Sequence, residues 1–171
     1  MTYILKSGAL RPVGYDNTLA KIKSDFRGQR KNIYLPDGIL SLCTDIIRIA
    51  NAEDGINYTQ YIMYTPQGEQ ISSGWSRCPG CKETASDVLS NTSKVNHIFV
   101  VMNNVDYVLN RVSRQLYELC DDYGKVIMKI KHRGIQGGWY IETFSPFKPD
   151  IICGIFCFCR YLEQENEFMI I

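Results

Sequence analysis

The chain has 171 residues, of which 45% are hydrophobic and 22% charged, and this composition indicates one folded domain rather than a disordered chain. The 19 basic and 18 acidic residues nearly cancel, which argues against a nucleic-acid-binding protein and leaves room only for a local basic patch. The seven cysteines are an odd number and the first residues show no secretion signal, so we expect reduced thiols in a cytoplasmic protein.

Short runs rich in tyrosine, isoleucine, valine and threonine follow one another along the chain, and such runs are typical of β-strands. In chain order they are "TYILK" (Thr2–Lys6), "LAKIK" (19–23), "ILSLCTDIIRIA" (39–50, one bent strand or two short ones), "YTQYIMYTP", "EQISSGWSR", "NHIFVVMN", "DYVLNRV", "QLYELCDD", "KVIMKIKHR" and "GWYIETFS". The joining turns Asn103-Asn104, "DDYG" (121–124) and "QGG" (136–138) supply the positive φ angles of tight hairpins. Roughly ten to twelve antiparallel strands are expected, and they must close into a barrel or split into a sandwich.

Two segments interrupt the strand pattern. The spacing of apolar residues in "CKETASDVLSNTSK" (81–94) predicts a short surface helix. In "PDIICGIFCFCR" (149–160), Pro149 suits the first position of a helix and Asp150 suits its positive end, although "IFCFC" alone is compatible with a strand. A helix that is apolar on every side is buried on every side. At about nine residues the apolar run is ~14 Å long as a helix, which excludes a membrane span of ~20 residues.

The last third of the chain resembles a known family. A hairpin "YELCDDYGKVIMKIKHR", a strand "GWYIETF", an acidic-proline spacer and an apolar helix follow one another over residues 116–165. This arrangement resembles the LURP-one-related proteins, which belong with tubby C-terminal domains and phospholipid scramblases. The first two thirds match only in their rhythm of hairpins. The resemblance implies one domain over residues 1–171, mainly β: a closed antiparallel barrel of about twelve strands around a hydrophobic C-terminal helix at about 149–163.

Within such a barrel the terminal helix would need residues of two sizes. Small residues would bring the helix close to the strands, and larger ones would fill the wider space. The first set is Cys153, Gly154, Cys157 and Cys159. The second set is Ile151, Ile152, Ile155, Phe156 and Phe158.

The sharpest local motif is Cys78-Pro79-Gly80-Cys81, because a CxxC pair can chelate zinc or exchange thiols. A closed zinc site needs two more ligands. The other close cysteine pair, Cys157 and Cys159, has only one residue between its members and lies inside the apolar run. We therefore expect a simple turn with two free thiols and no cofactor, and keep a redox or metal-binding protein using Cys78 and Cys81 as the alternative.

No triad setting, phosphate-binding glycine loop or paired-acid motif is visible, so an enzyme is not expected. The remaining signal is basic, in one group that alternates along a strand and a second group placed on a loop. These candidate ligand-binding residues are Lys129, Lys131 and Arg133, and Arg27, Arg30 and Lys31. The solvated outer face of a barrel is the plainer interpretation of both groups. The functional prediction is a non-enzymatic cytoplasmic binding domain, peripheral at a membrane, for an anionic phospholipid or a protein partner.

Overall fold

The computed structural model describes residues 1–25, 29–50, 57–76 and 96–168. This part of the chain forms twelve strands, one turn of 3₁₀ helix (Gly134–Gln136) and one long helix. The strands are β1 (Thr2–Lys6), β2 (Ala9–Pro12), β3 (Ala20–Ser24), β4 (Lys31–Tyr34), β5 (Leu40–Ala50), β6 (Asn57–Tyr64), β7 (Gln70–Trp75), β8 (His97–Met102), β9 (Val105–Ser113), β10 (Leu116–Asp121), β11 (Val126–His132) and β12 (Trp139–Thr143). The helix is α1 (Pro149–Phe168).

The twelve strands form a closed antiparallel barrel in which each strand pairs with its neighbours in sequence. The ring closes where β1 pairs with β12, with Ile4 opposite Tyr140. The prediction of a mainly β barrel with a C-terminal helix is confirmed. All ten strand predictions correspond to observed strands, and residues 40–50 form one strand rather than two. The predictions did not include β2 and β4.

The hairpin turns have the backbone conformation that their residues predict. Asn103 and Asn104 join β8 to β9 with φ angles of 51° and 60°, and Gly124 joins β10 to β11 at 77°. Gly137 and Gly138, before β12, also have positive φ angles. Positive φ at both central residues gives the turn a twist that matches the strands on either side.

The helix begins at Pro149, as predicted, and continues to Phe168, beyond the predicted end near residue 163. Its first turn is fixed to the barrel wall by Asp150, whose carboxylate accepts a hydrogen bond from the Ser41 hydroxyl at 2.6 Å. Proline and an acidic residue suit this end because the first helical N–H groups have no partner within the helix.

Polar contacts also hold the second half of the helix inside the barrel. The Tyr161 hydroxyl donates to the backbone oxygen of Gln29 at 2.7 Å, and the Tyr61 hydroxyl donates to the Glu165 carboxylate. Burial, together with the negative charge of Glu165, raises the pKa of Tyr61. These contacts satisfy polar groups that would otherwise be costly in the core.

The helix approaches the wall closely where its residues are small. A Cβ added to Gly154 would lie 2.8 Å from the sulfur of Met63 on β6, and Cys153, Cys157 and Cys159 are buried. This agrees with the expectation that small residues let the helix lie against the strands. Ile152, Ile155, Phe158, Tyr161 and Leu162 complete one hydrophobic core with the inward side chains of the barrel.

The helix is not buried on every side, and here the prediction was wrong. Ile151 and Phe156 are only half-buried, and Arg160 is exposed. The helix lies closest to β5, β3 and β4, so it is off-centre in the barrel. On its other side, Phe156 contacts Trp139 of β12 edge to face, with 5.5 Å between the ring centroids. The surface helix expected at 81–94 lies outside the described residues.

Candidate functional site

A cavity of about 450 Å³ lies between the second half of the helix and one end of the barrel wall. We call it the end cavity. Its lining comes from β1, the β1–β2 turn, β3, β4, the start of β12 and the helix. The lining residues are Leu5, Ser7, Gly8, Ile22, Ser24, Lys31, Gly138, Trp139, Phe156, Cys157, Arg160 and Gln164.

Next to the end cavity, β2 and β3 share the shortest strand pairing of the barrel. These strands pair through only two residue pairs, Ala9 with Lys21 and Leu10 with Ala20, whereas the other neighbours share four or more. Beyond that ladder, Gly8 adopts a φ of 77°, and its absent Cβ would lie 2.6 Å from the backbone oxygen of Ile22. Glycine therefore lets the β1–β2 turn approach β3, where the Ile22 N–H donates to the Gly8 oxygen at 2.7 Å. We call this short boundary the β2–β3 seam.

Lys31 is the cation that enters the end cavity from the wall. It precedes the fully buried Ile33 by two residues on β4, so both side chains lie on the inner face of the barrel. The Lys31 ammonium donates to the Ser24 hydroxyl at 3.0 Å. Among the described residues no carboxylate pairs with Lys31. Its positive charge is therefore available to a ligand.

Arg160 supplies a second cation from the helix. Its guanidinium pairs with Glu163 one helical turn later, outside the lining of the cavity. The lining thus carries Lys31, which has no carboxylate partner among the described residues, and Arg160, whose charge is offset by Glu163. Because a partly enclosed charge is screened less by salt than a charge on an open surface, this end of the barrel attracts anions.

The cavity also holds a cysteine. Burial raises the pKa of the Cys157 thiol to about 12, and this effect outweighs the opposite effects of a hydrogen bond with Thr44 and of the nearby Lys31 charge. The thiol is therefore protonated at neutral pH. Since the thiolate is the nucleophilic form, the position gives Cys157 a packing role.

The three basic residues predicted near β11 lie on the outer face. Met128 and Ile130 are buried and face inward, as predicted, whereas Lys131 is exposed. Lys129 pairs with Glu118 across the strands at 3.1 Å. Arg133 follows the strand end, and its guanidinium lies 4.8 Å from the ring centroid of Tyr140. One of the three charges is therefore neutralised, and none enters the end cavity.

Arg30 and Lys31, from the second predicted basic group, contact different residues. Arg30 donates to the Cys43 thiol at 3.0 Å and to Asn32, and its guanidinium lies 5.4 Å from the Tyr64 ring centroid. The hydrogen bond with Cys43 raises the pKa of Arg30 against the opposing effect of burial. Lys31, placed on a loop by the sequence prediction, instead begins β4 and faces inward. Arg27 lies outside the described residues.

The structure brings Lys31 together with residues that the sequence prediction did not select as site residues. Arg160, Trp139 and Phe156 are far from Lys31 in sequence and meet it only when the barrel closes. One local signal was present for Lys31: in "KNIY", alternation places it on the same face as the apolar Ile33.

A second cavity, of about 400 Å³, lies on the outside of the barrel near β3 and β4. It is lined by Thr18, Lys21, Lys23, Tyr34, Leu35, Pro36 and Gly38. The ammonium of Lys23 lies 4.9 Å from the ring centroid of Tyr34. Both lysines are exposed, so salt screens their charges more strongly than it screens the charge of the half-buried Lys31.

Cys78 and Cys81, the alternative redox or metal pair, lie outside the described residues. Within the described part, Cys43, Cys120, Cys153, Cys157 and Cys159 are free and buried. That part also contains no group of three or more histidine, cysteine or acidic residues able to hold a metal ion. Among the described helices, none has both the length and the apolar character that crossing a bilayer requires.

Comparison of the chain with protein-family models, with curated proteins and with solved structures gave no match.

Proposed function

We propose that the chain is a non-catalytic binding domain of the tubby C-terminal-like class, related to the LURP-one proteins, which binds the headgroup of an anionic phospholipid at the end cavity. The observation that carries the proposal is Lys31, an inward-facing cation without a carboxylate partner among the described residues, in a cavity that also holds Arg160. A protonated Cys157 favours binding over catalysis there. The free, buried cysteines fit a reducing compartment, so we place the protein in the cytoplasm, peripheral at a membrane.

The magnitude of this binding follows from the charges. A basic residue close to an anionic surface contributes about 1 kcal/mol, which is roughly fivefold in affinity. The net charge of the chain is only +1, so the whole molecule adds little attraction beyond the local site. Binding should therefore be weak and should fall as salt rises toward ~0.15 M, where charges are screened over ~8 Å.

Sedimentation with vesicles tests the proposal. Wild-type protein should bind vesicles of phosphatidylcholine plus phosphatidylserine, and bind pure phosphatidylcholine far more weakly. Lys31→Met keeps the aliphatic stem and removes the charge, and should weaken binding about fivefold. Lys131→Met is the matched control, because it removes one charge from the exposed outer face of β11. Equal binding to both vesicle types, or a larger effect of Lys131→Met, would overturn the cavity as the lipid site.

The alternative function, thiol exchange or metal binding by Cys78 and Cys81, remains a prediction from the sequence. Mapping of thiol reactivity by mass spectrometry tests it. Labelling of this pair that stays rapid at about pH 6, where an ordinary thiol is almost fully protonated, would indicate a lowered thiol pKa and favour the alternative. Slow labelling would favour the binding domain.

A further inference from the structure

The end cavity has an apolar wall next to its cations. Leu5, Ile22, Trp139 and Phe156 form this wall. The Trp139 and Phe156 rings meet edge to face at a centroid distance of 5.5 Å. A purely polar anion bound to Lys31 would leave these apolar surfaces in contact with water, so the cavity matches a ligand that has an apolar part as well as a charge.

Phe156 gives the cavity a partly exposed apolar surface. The apolar run of the helix contains Ile152, Ile155 and Phe158, which are all fully enclosed by protein. Phe156 in the same run is half-buried, because the helix is off-centre and its Phe156 side faces the cavity. Covering the exposed part of an aromatic side chain with an alkyl chain is favourable in proportion to the area removed from water.

The size of the cavity limits the ligand. Its volume of about 450 Å³ lies within the range of roughly 300–1,000 Å³ that is usual for small-molecule sites. It lies between the helix and the barrel wall, and this volume is less than the two acyl chains of a bilayer phospholipid require. One alkyl chain fits this description.

We propose that the end cavity holds a single-chain amphiphilic anion, with a carboxylate or phosphate head at Lys31 and its alkyl chain against Trp139 and Phe156. This inference rests on the proposed anion site and adds the chemical class of its ligand. The head gains a charge-assisted hydrogen bond from Lys31, and the chain covers the wall that a headgroup alone leaves exposed.

Tryptophan fluorescence gives a direct readout, because Trp139 lines the cavity and Trp75 lies on β7, across the barrel. In a Trp75→Phe background, Trp139 is the only tryptophan left. Titration with dodecanoate and with dodecyl phosphate, both below their micelle concentrations, should shift its emission in a saturable way. The two arms separate a carboxylate from a phosphate head. Dodecyl maltoside, a neutral amphiphile, should bind at least tenfold more weakly, and inorganic phosphate should leave the emission unchanged.

Matched variants assign the head of the ligand to Lys31. Lys31→Met should weaken binding of both anions about tenfold and leave dodecyl maltoside unaffected. Lys131→Met, on the outer face, should change neither. Calorimetric titration of the chain that keeps both tryptophans measures the same affinities without the Trp75→Phe substitution. Circular dichroism at each ligand concentration shows that the fold is retained.

The outcomes separate this inference from the proposed function. No saturable response to either anion, equal affinity for dodecyl maltoside, or unchanged binding by Lys31→Met overturns the amphiphile. If that happens while vesicle binding still depends on Lys31, the headgroup proposal stands alone. Saturable binding of dodecanoate or dodecyl phosphate without vesicle binding supports the amphiphile and overturns the membrane proposal.

Discussion

At the scale of single residues, the buried thiols and phenols link the stability of the protein to alkaline pH. Burial raises the pKa of Cys157 from an ordinary 9.0 to about 12, and it raises the pKa values of Cys153 and Cys159 well above 9.0. The negative charge of Glu163 adds to the effect of burial at Tyr117, whose pKa rises to about 12. Between the unfolded and folded pKa values, the unfolded chain has released these protons and the folded chain still holds them.

The protein should therefore be less stable at alkaline pH than near neutral pH. Stability is fully present below about pH 9 and falls as pH rises toward 12, by up to ~1.4 kcal/mol per pH unit for each group that has ionised only in the unfolded state. Urea unfolding under reducing conditions should therefore show a lower midpoint at about pH 10.5 than at about pH 8. Cys157→Ala should have a smaller difference between the two midpoints, and a variant with the same difference as wild type would contradict this account.

Two neighbouring phenylalanines on the helix should respond differently to the same substitution. Phe158 is fully buried in the core, so Phe158→Asp places an unpaired charge there and should abolish cooperative folding. Phe156 lies at the end cavity, whose lining contains Lys31 and Arg160, so Phe156→Asp should leave a folded, less stable protein. Thermal melting followed by circular dichroism compares the two variants. Equal loss of folding would show that the Phe156 side of the helix is packed as tightly as the Phe158 side.

The same pair of residues shows how far sequence reasoning reaches at this scale. Both phenylalanines lie in one apolar run, and the run alone predicts that both are buried. Positions 156 and 158 are about 200° apart around a helix, so the two rings point to different faces. Because the helix lies closest to β3, β4 and β5, its Phe156 face is left at the cavity. Lys31 was selected as a basic residue, but its inward direction required recognising the strand that it begins.

At the scale of elements, the long strands and the terminal helix could be predicted and the shortest strands could not. β5 to β12 carry enough β-branched and aromatic residues to stand out, and Pro149 with Asp150 marks the helix start. β2 and β4 have only four residues each, and "ALRP" ends in a proline while "KNIY" begins with a polar pair. Such segments become strands because the neighbouring strands supply hydrogen-bond partners, and this context is absent from a local pattern.

The terminal helix should be essential for folding. Ending the chain at Pro149 removes Ile152, Ile155, Phe158, Tyr161 and Leu162 from the core. Burying each large apolar side chain contributes ~1.5–3 kcal/mol, so the loss is on the order of 10 kcal/mol, against a typical total stability of ~5–15 kcal/mol. The emptied barrel adds the cost of a cavity. The shortened chain should therefore show no cooperative melting by circular dichroism.

A milder truncation is the control for that experiment. Ending the chain at Phe168 leaves all five of those side chains in place and should preserve a cooperative transition. If the chain that ends at Pro149 were soluble and melted cooperatively, the helix would be a peripheral element and the barrel would have to be stable without its core.

At the scale of the whole molecule, the closed ring makes the two sides of the barrel depend on one another. Breaking any one strand pairing would open the sheet, because β1 pairs with β12 and none of the described strands is left as an edge. The buried side chains of the wall and the helix also belong to a single hydrophobic cluster. A domain with one such core is expected to unfold in one step.

The two tryptophans can test whether the barrel unfolds in one step, because they lie on well-separated strands. Trp75 ends β7 and Trp139 begins β12, five strands away in one direction around the ring and seven in the other. Trp75→Phe and Trp139→Phe each leave one reporter. In each variant the urea midpoint from tryptophan fluorescence should coincide with the midpoint from far-ultraviolet circular dichroism, even if the two variants differ in stability. A fluorescence midpoint lower than the dichroism midpoint only when Trp139 reports would show that the wall around β12 and the end cavity opens first. The end cavity would then be formed by an independently unfolding part of the barrel, because local opening of that wall would not require the loss of the common core.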